Sequence, residues 1–555
     1  MRSRESQPAL VFVIVLVPLF LLHAPLLQLP YFWDEAGYYV PAARDILLNG
    51  SLIPHSTVSN AHPPLVLAWL ALWWKVAGFA PLVVRSAMLV LAAFSLLGVF
   101  RLAEAVANAR VAAAATVCTA LYPVFFAQSS LAQIDLAAAG LVFWGLRAYL
   151  EDRTAASAFW FTLAALAKET AVIAPLAIAG WEVLGLVWSN QLAQRLRLDK
   201  PGAPSSARRL AGLLSPVLAL ALWYVYHYAR TGYVFGNPQF FRYNVAATLN
   251  PVRFVLALGL RLWQVFGYLH MWVLTLAMLL TMWLATPRRD AGREYPRIAI
   301  PVQCVFLVVV LAYVVSMALI GGAVLARYML PAIPLSIILA VSTLWRRIRW
   351  WPAAIALVAV AFVAAWFWNP PYGFSPEDNL AYRDYVGLHE DGERFLEARY
   401  PMARVLTAWP ASDEITRPWL GYITRPMRVV RIENFSLDEV LSAADFRSNF
   451  EVALVFATKY DPGPAPWDRW RKWTDLKARF FDFHRDLPPA AAARILGGHI
   501  VFIEEHQRLW IAVIEMEPGE VQNAELITPN ATLPSLLHEM TGVRFDHQPH
   551  VPAGR

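Results

Sequence analysis

Charge is scarce in this sequence. Only 16% of the 555 residues are Asp, Glu, Lys or Arg, while 58% are hydrophobic. A soluble chain of this length usually carries about a quarter charged residues. The deficit points to a bilayer, as do the 23 Trp and 20 Tyr that suit its interfaces. Cysteine is nearly missing. Cys118 and Cys304 each lie in an apolar run and read as small buried hydrophobes, which excludes a disulfide scaffold or a thiolate metal cluster. No internal repeat is visible, whereas many transporters are built from two related halves. The net charge of +7 does not indicate nucleic acid, because Lys and Arg cluster in short connections between apolar runs, the membrane-topology use of positive charge.

What is present is a series of apolar runs. A span needs roughly 20 residues at about 1.5 Å each. Spans are expected near 9–29, 82–107, 111–127, 136–150, 156–167, 170–188, 210–228, 265–285, 298–319, 328–344 and 352–368. The first follows Arg2 and Arg4 and lacks a cleavage pattern, so it reads as an uncleaved span rather than a signal peptide. Arg110, Arg153, the group Arg195, Arg197, Lys200, Arg208 and Arg209, the group Arg288, Arg289, Arg293 and Arg297, and the group Arg346, Arg347 and Arg349 then share one side, expected to be cytoplasmic. This holds only if 63–78 does not cross. That run reads as an interfacial helix with Trp69, Trp73 and Trp74 at headgroup level, and the segment after Trp33 as a similar one. The stretch 156–188 is too long for one span and should turn at Lys168-Glu169. The segment 229–264, with Arg230, Arg242, Arg253 and Arg261, reads as a long outer connection.

Composition changes at Asn369-Pro370-Pro371. Beyond it the chain is charged and has no spanning run, and Ser375-Pro376-Glu377 is a good helix start. Apolar stretches at 403–409, 452–458, 499–503 and 509–515 read as strands, with a helix over 437–449. The expected fold is therefore a polytopic α-helical membrane protein, residues 1–368, of about eleven transmembrane helices with interfacial helices in its first outer loop. A C-terminal extracytoplasmic α/β domain, 369–555, completes it. The sequons Asn434-Phe435-Ser436 and Asn530-Ala531-Thr532 are short enough to arise by chance and carry no weight.

Ionisable residues near the outer ends of the spans are the candidates for chemistry. Asp34 and Glu35 follow the first span. Asp at a helix start caps backbone N–H groups; an acid at the water–lipid boundary also suits a general base. Both readings stand at this point. His62-Pro63-Pro64-Leu65 opens the interfacial helix, and its prolines suit a helix start while His62 is left unexplained. Asp135 ends an outer turn, again as cap or site. Lys168 and Glu169 could be only an apex ion pair. Arg327, in Arg327-Tyr328-Met329-Leu330-Pro331, is either a snorkelling arginine or a cation for an anionic ligand. Their shared property is position near one face. Acids to handle an acceptor proton and cations to hold a lipid phosphate are what phosphoryl-sugar chemistry needs.

In that order, Asp34-Glu35, His62-Pro63-Pro64-Leu65, Asp135, Ala167-Lys168-Glu169 and Arg327-Tyr328-Met329-Leu330-Pro331 resemble the C-type glycosyltransferases. That superfamily includes the protein mannosyltransferases and the aminoarabinose transferases. The resemblance covers roughly 9–345. It implies a polyprenyl-phosphate sugar donor, transfer with inversion at the outer face of a bacterial inner membrane, and a cytoplasmic amino terminus with a periplasmic C-terminal domain. It implies Asp34 as the catalytic acid, with Glu35, His62 and Asp135 lining the same cavity. Glu35 is expected to share the catalytic role. Arg327 and Tyr328 would meet the lipid phosphate, with Lys168 beside them. Aminoarabinose transferases commonly carry an acidic-Lys-Pro sequence where this chain has Ala61-His62-Pro63, so a divalent metal is possible but not required. The acceptor is not indicated, and no nucleic acid is expected. A flippase for a lipid-linked glycan and a lipid-linked-oligosaccharide ligase are the alternatives.

Overall fold

The computed structural model describes residues 7–187, 206–236, 250–320, 322–463, 470–481 and 483–517. Arg2, Arg4, Arg195, Arg197, Lys200, Arg242 and the Asn530 sequon lie outside the described residues. A helix stands at each place where an apolar run called for one, from Pro8–His23 to Trp351–Phe367. Among the described residues, five stretches are long and apolar enough to cross a membrane: Pro8–Leu26, Pro81–Val106, Ser206–Thr231, Pro251–Leu284 and Ile300–Ile320. Their outward faces carry exposed Ile14, Leu21, Leu218, Leu222 and Trp283, apolar surface that only lipid tolerates at this extent. The protein is a multi-pass membrane protein.

Local chemistry sets the helix starts. Proline occupies the first turn of Pro8–His23, Pro81–Val106 and Trp351–Phe367, where its missing N–H is no loss. Asn108 caps Ala109–Leu121 by accepting from Arg110 N and Val111 N. Small residues let the helices meet. A Cβ added at Gly140 would lie 1.9 Å from Ser95 Oγ, so Ile134–Leu150 packs on Pro81–Val106 almost backbone to backbone.

Two expectations are corrected. The outer connection over 229–264 contains a helix, Pro251–Phe266, capped by Asn250 and broken from Met271–Leu284 by positive φ at Leu269 and His270. Arg253 and Arg261 interrupt its apolar pattern, yet both are buried. Arg253 Nη2 donates to Gly322 O at 2.9 Å and Arg261 Nη1 to Leu325 O at 2.7 Å. Of the three tryptophans on Leu65–Ala77, Trp74 is buried against the protein rather than placed outward.

The break at Lys168 is as expected: the helix Thr154–Ala167 ends there on extended backbone, before Ile173–Val187 resumes. Basic clusters also share ends with their neighbours. Arg209, at the start of Ser206–Thr231, reaches Glu182 at 3.3 Å and Asp152 at 3.7 Å, and Arg346 reaches Glu294 at 2.9 Å.

After residue 369 the chain forms a five-stranded mixed sheet. In order its strands are Arg428–Arg431, Arg404–Thr407, Val452–Phe456, Leu509–Met516 and Gly498–His506. The first three are mutually parallel, and Leu509–Met516 runs antiparallel to both of its neighbours, Val452–Phe456 and Gly498–His506. Val452–Phe456, buried throughout, is the central strand. The helix Ala381–Arg399 packs on the hairpin side, with Gly392 against Ile511. The region seats on the first loop of the membrane part: Tyr31 N donates to Leu420 O at 3.3 Å and Tyr422 Oη to Tyr31 O at 3.1 Å.

The helix contact at Gly140 gives a stability test. Gly140→Leu should lower the thermal midpoint in detergent by an overpacking loss of about 1–3 kcal/mol or more. Gly180→Ala, whose Cβ would meet nothing within 4 Å, should leave it unchanged.

Candidate active site

The two neighbouring acids after the first span part company. Trp33 takes a positive φ of 48°, an unusual conformation for a bulky residue and one that tends to occur at functional sites. It delivers Asp34 to the start of a wide helical turn, Glu35–Tyr39. Asp34 makes no cap contact there. Its Oδ2 instead accepts from Arg327 Nη2 at 2.5 Å, and it stays about one-third exposed on the wall of a cavity of 1050 Å³.

Glu35 points the other way and is fully buried. It accepts from Phe32 N at 2.8 Å and from Ala132 N, and it pairs with Arg85. Arg85 also donates to Pro30 O at 2.8 Å and Ser130 O at 3.1 Å. The expectation that Glu35 shares catalysis with Asp34 therefore meets a different placement. Glu35 is a staple between the loop after Pro8–His23, the helix Pro81–Val106 and the 130–132 turn, and it is not among the residues lining the cavity.

Arg327 organises the remainder. It sits in the turn Ala326–Met329 and is 2% exposed, so it does not snorkel. Besides Asp34, its Nη1 donates to Glu377, and its Nε lies 3.3 Å from Asp135 Oδ2. Asp135, in the first turn of Ile134–Leu150, also pairs with Lys168. Three carboxylates from distant parts of the chain thus surround one guanidinium. Tyr328 presents its ring to Lys168 Nζ at 4.0 Å and to Arg261 at 5.6 Å, both within cation–π range.

His62 and Glu169, which also line the cavity, form a second pair, Nδ1 to Oε2 at 3.0 Å. Ala61, just before His62, also has a positive φ, of 59°. Lys168 and Glu169 are therefore not an apex pair, since each reaches a different partner. Burial would raise the Glu169 carboxyl, but His62 and Lys168 outweigh it and hold the group low. The structure brings Asp34, His62, Lys168, Arg327 and Tyr328 to the cavity, with Asp135 directly behind Arg327 and Lys168.

Glu377 and Asp378 escaped the sequence reading, because Ser375-Pro376-Glu377 looks like an ordinary helix start. They lie in the turn Pro376–Asp378, both buried. Gln133 Nε2 donates to Glu377 Oε2 at 2.8 Å. Burial pushes the Glu377 carboxyl up, against the pull of Arg327. Burial, with Glu377 nearby, pushes Asp378 up to about 8, and Tyr268 Oη donates to it at 2.6 Å.

The cavity has two characters. Its lining includes the apolar side chains of Val172, Ile173, Leu220, Met317, Ile320 and Leu325, and polar ones from the C-terminal sheet region, Glu433, Asn434, Thr458, Lys459 and His484. Among the described residues, no three metal-ligating side chains converge in this cavity. Asp34 is held by Arg327, and His62 and Glu169 hold each other, so the wall does not offer a ready metal cradle. The helix Ile134–Leu150 carries Asp135 at its start, and Asp152, two residues past its end, meets Arg209. Its 17 residues separate the acid–Arg327 cluster from the basic end by about 25 Å.

No protein-family model and no curated protein matches the chain. Solved structures do. ArnT from Cupriavidus metallidurans in the apo state aligns at TM-score 0.53 and 14% identity, covering 91% of this chain and 97% of that one. The same protein bound to undecaprenyl phosphate aligns at 0.49, with 12% identity and the same coverage. The Archaeoglobus fulgidus oligosaccharyltransferase in its apo form aligns at 0.45 and 13%, covering 82% and 70%. The fold is the one seen in ArnT, and it includes the C-terminal sheet region.

Two measurements separate structural from chemical roles. Glu35→Ala strands Arg85 in the interior and should cost about 3–5 kcal/mol of stability, read as a lower thermal midpoint, with part recovered by adding Arg85→Met. An unchanged midpoint with lost turnover would return Glu35 to catalysis. Asp378, raised from 3.8 to about 8 by burial, binds more protons folded than unfolded. Its contribution is therefore fully present below its unfolded pKa and is lost as pH rises toward 8. Asp378→Asn should flatten the fall in thermal midpoint between pH 4 and pH 8 (a window set by those two values).

Proposed function

From the fold it shares with ArnT and the residues on the cavity wall, we propose that this protein transfers a sugar from a polyprenyl-phosphate donor to an acceptor hydroxyl or amine, with inversion. We place the reaction at the outer face of the bacterial inner membrane, with the basic helix ends cytoplasmic and the sheet region periplasmic. The observation that carries the reading is Asp34: a cavity-facing carboxylate held at 2.5 Å by a buried arginine, in a cavity lined by both apolar and polar side chains. The apolar side chains suit a polyprenyl chain. The polar ones suit an acceptor arriving from water.

The charge balance supports this assignment. The acceptor oxygen or nitrogen attacks the anomeric carbon as the bond from that carbon to the phosphate oxygen breaks. The acceptor proton passes to Asp34, which becomes neutral. The phosphate gains one negative charge as it leaves. Arg327 stands beside Asp34 and can take up the interaction that Asp34 gives up, with Lys168 and Tyr328 next to it. Negative charge thus moves from Asp34 to the phosphate around a fixed guanidinium, and little has to reorganise. No general acid is required, because a phosphate monoester is a good leaving group when cations meet it.

Asp34→Asn tests the reading. It should reduce release of polyprenyl phosphate from a labelled lipid-sugar by about 10²- to 10⁴-fold, with the thermal midpoint retained. Binding of polyprenyl phosphate should be equal or tighter, because Arg327 loses a competing charge. An Asp34→Asn protein within twofold of wild-type turnover would overturn the assignment. Passage of intact lipid-sugar across vesicles with no bond cleavage would favour a flippase instead.

A further inference from the structure

We propose that His389, Glu393 and Glu414 form a site for a divalent metal ion of the zinc class, inside the C-terminal sheet region and separate from the cavity. His389 and Glu393 are four residues apart on the helix Ala381–Arg399, so their side chains share one face. Glu414 ends the short helix Ala411–Glu414 opposite them. One ligand atom from each residue lies within 4.8 Å of the others. His389 Nδ1 is 2.7 Å from Glu414 Oε2 and 3.5 Å from Glu393 Oε1. Around a tetrahedral zinc with bonds of about 2.0–2.1 Å, ligand atoms stand roughly 3.3 Å apart, so the three need only small shifts to close on an ion.

Burial and missing donors make the case. All three residues are 0–1% exposed. Neither oxygen of Glu393 receives a hydrogen bond, and neither does Glu414 Oε1. The hydroxyls of fully buried Ser412 and Tyr385 also lack partners. Two carboxyl groups face a single imidazole in a dry interior, so with both ionised at least one negative charge goes unmatched, which is costly by several kcal/mol. Buried charges are paired or they coordinate metals. A dication would balance both carboxylates and use the imidazole as its neutral nitrogen ligand.

The site would be structural, being closed to solvent, but it stands close behind the cavity. Tyr385 stacks on His389 with ring centroids 4.2 Å apart and meets Trp33 edge-on at 5.7 Å. Trp33 in turn meets Trp409 at 4.8 Å. Trp33 precedes Asp34, and Trp409 lines the cavity. The ion would brace the backbone that presents Asp34.

The test uses the full-length protein purified in detergent without a metal-binding tag. Elemental analysis should find about one equivalent of zinc or another first-row dication per chain. Exhaustive chelation should lower the thermal midpoint, and re-addition of Zn²⁺ should restore it. Co²⁺ loading should give the visible bands of a low-coordinate ion. Those bands should be absent in Glu393→Gln and in Glu414→Gln, and present in Asp34→Asn. The proposal is overturned if the protein holds no metal and chelator followed by Zn²⁺, Mn²⁺ or Co²⁺ leaves the midpoint unmoved. It is equally overturned if bound metal persists in both glutamate variants. If those variants fail to fold, the chelation and re-addition cycle on the wild-type chain still decides.

Discussion

One buried guanidinium sets the geometry of this protein's centre. Arg327 is ringed by Asp34, Asp135 and Glu377, which enter from the first loop, the start of an internal helix and the turn before the sheet region. A charge this deep is tolerable only if it is fully engaged, and guanidinium offers five donors in a plane for that purpose. The same requirement fixes Asp34 in space. A carboxylate that must face both a fixed cation and an open cavity has little freedom, which is the positioning that acid–base chemistry needs. The cluster does not serve stability alone, since buried ion pairs are often no better than apolar packing. What it supplies is a single arrangement of Asp34, Asp135 and Glu377 around Arg327 at the edge of the cavity.

The adjacent acids show how one dipeptide serves two ends. Glu35 closes onto Arg85 and backbone donors and anchors the loop. Asp34, one residue earlier, is turned to the cavity. The unusual backbone at Trp33 makes this split, and the similar kink at Ala61 does the same for His62. Strain in both places lies immediately before a cavity residue, with the surrounding helices holding it.

The positions of the helices were largely legible because the length of an apolar run is a coarse physical constraint that survives without knowledge of contacts. Pro251–Phe266 was not, since Arg253 and Arg261 break its apolar pattern and only the structure shows the carbonyls that satisfy them. The strands Val452–Phe456 and Leu509–Met516 announce themselves as apolar runs. Arg428–Arg431 does not, because an edge strand ending in arginines reads as a loop. Of the site, Asp34, His62, Lys168, Arg327 and Tyr328 were readable as ionisable or aromatic groups near one face. Glu377 was hidden in a helix-start pattern, and the role of Glu35 depended on Arg85, fifty residues away inside an apolar run. Neither fact is local, so no window of sequence contains it.

The union of Asp34 with Glu377 around Arg327 has a consequence for biosynthesis. Asp34 emerges from the ribosome early, while Glu377 and the polar lining residues of the sheet region follow only after the apolar helix Trp351–Phe367. Until then Arg327 lacks one of its acids, and the cavity lacks that part of its lining. Insertion and assembly must therefore proceed with this pocket open and its charges partly unmatched, and closure comes as a late, long-range event. A product truncated before Glu377 would carry Asp34 and Arg327 without the third acid and without the sheet-region residues that complete the cavity lining.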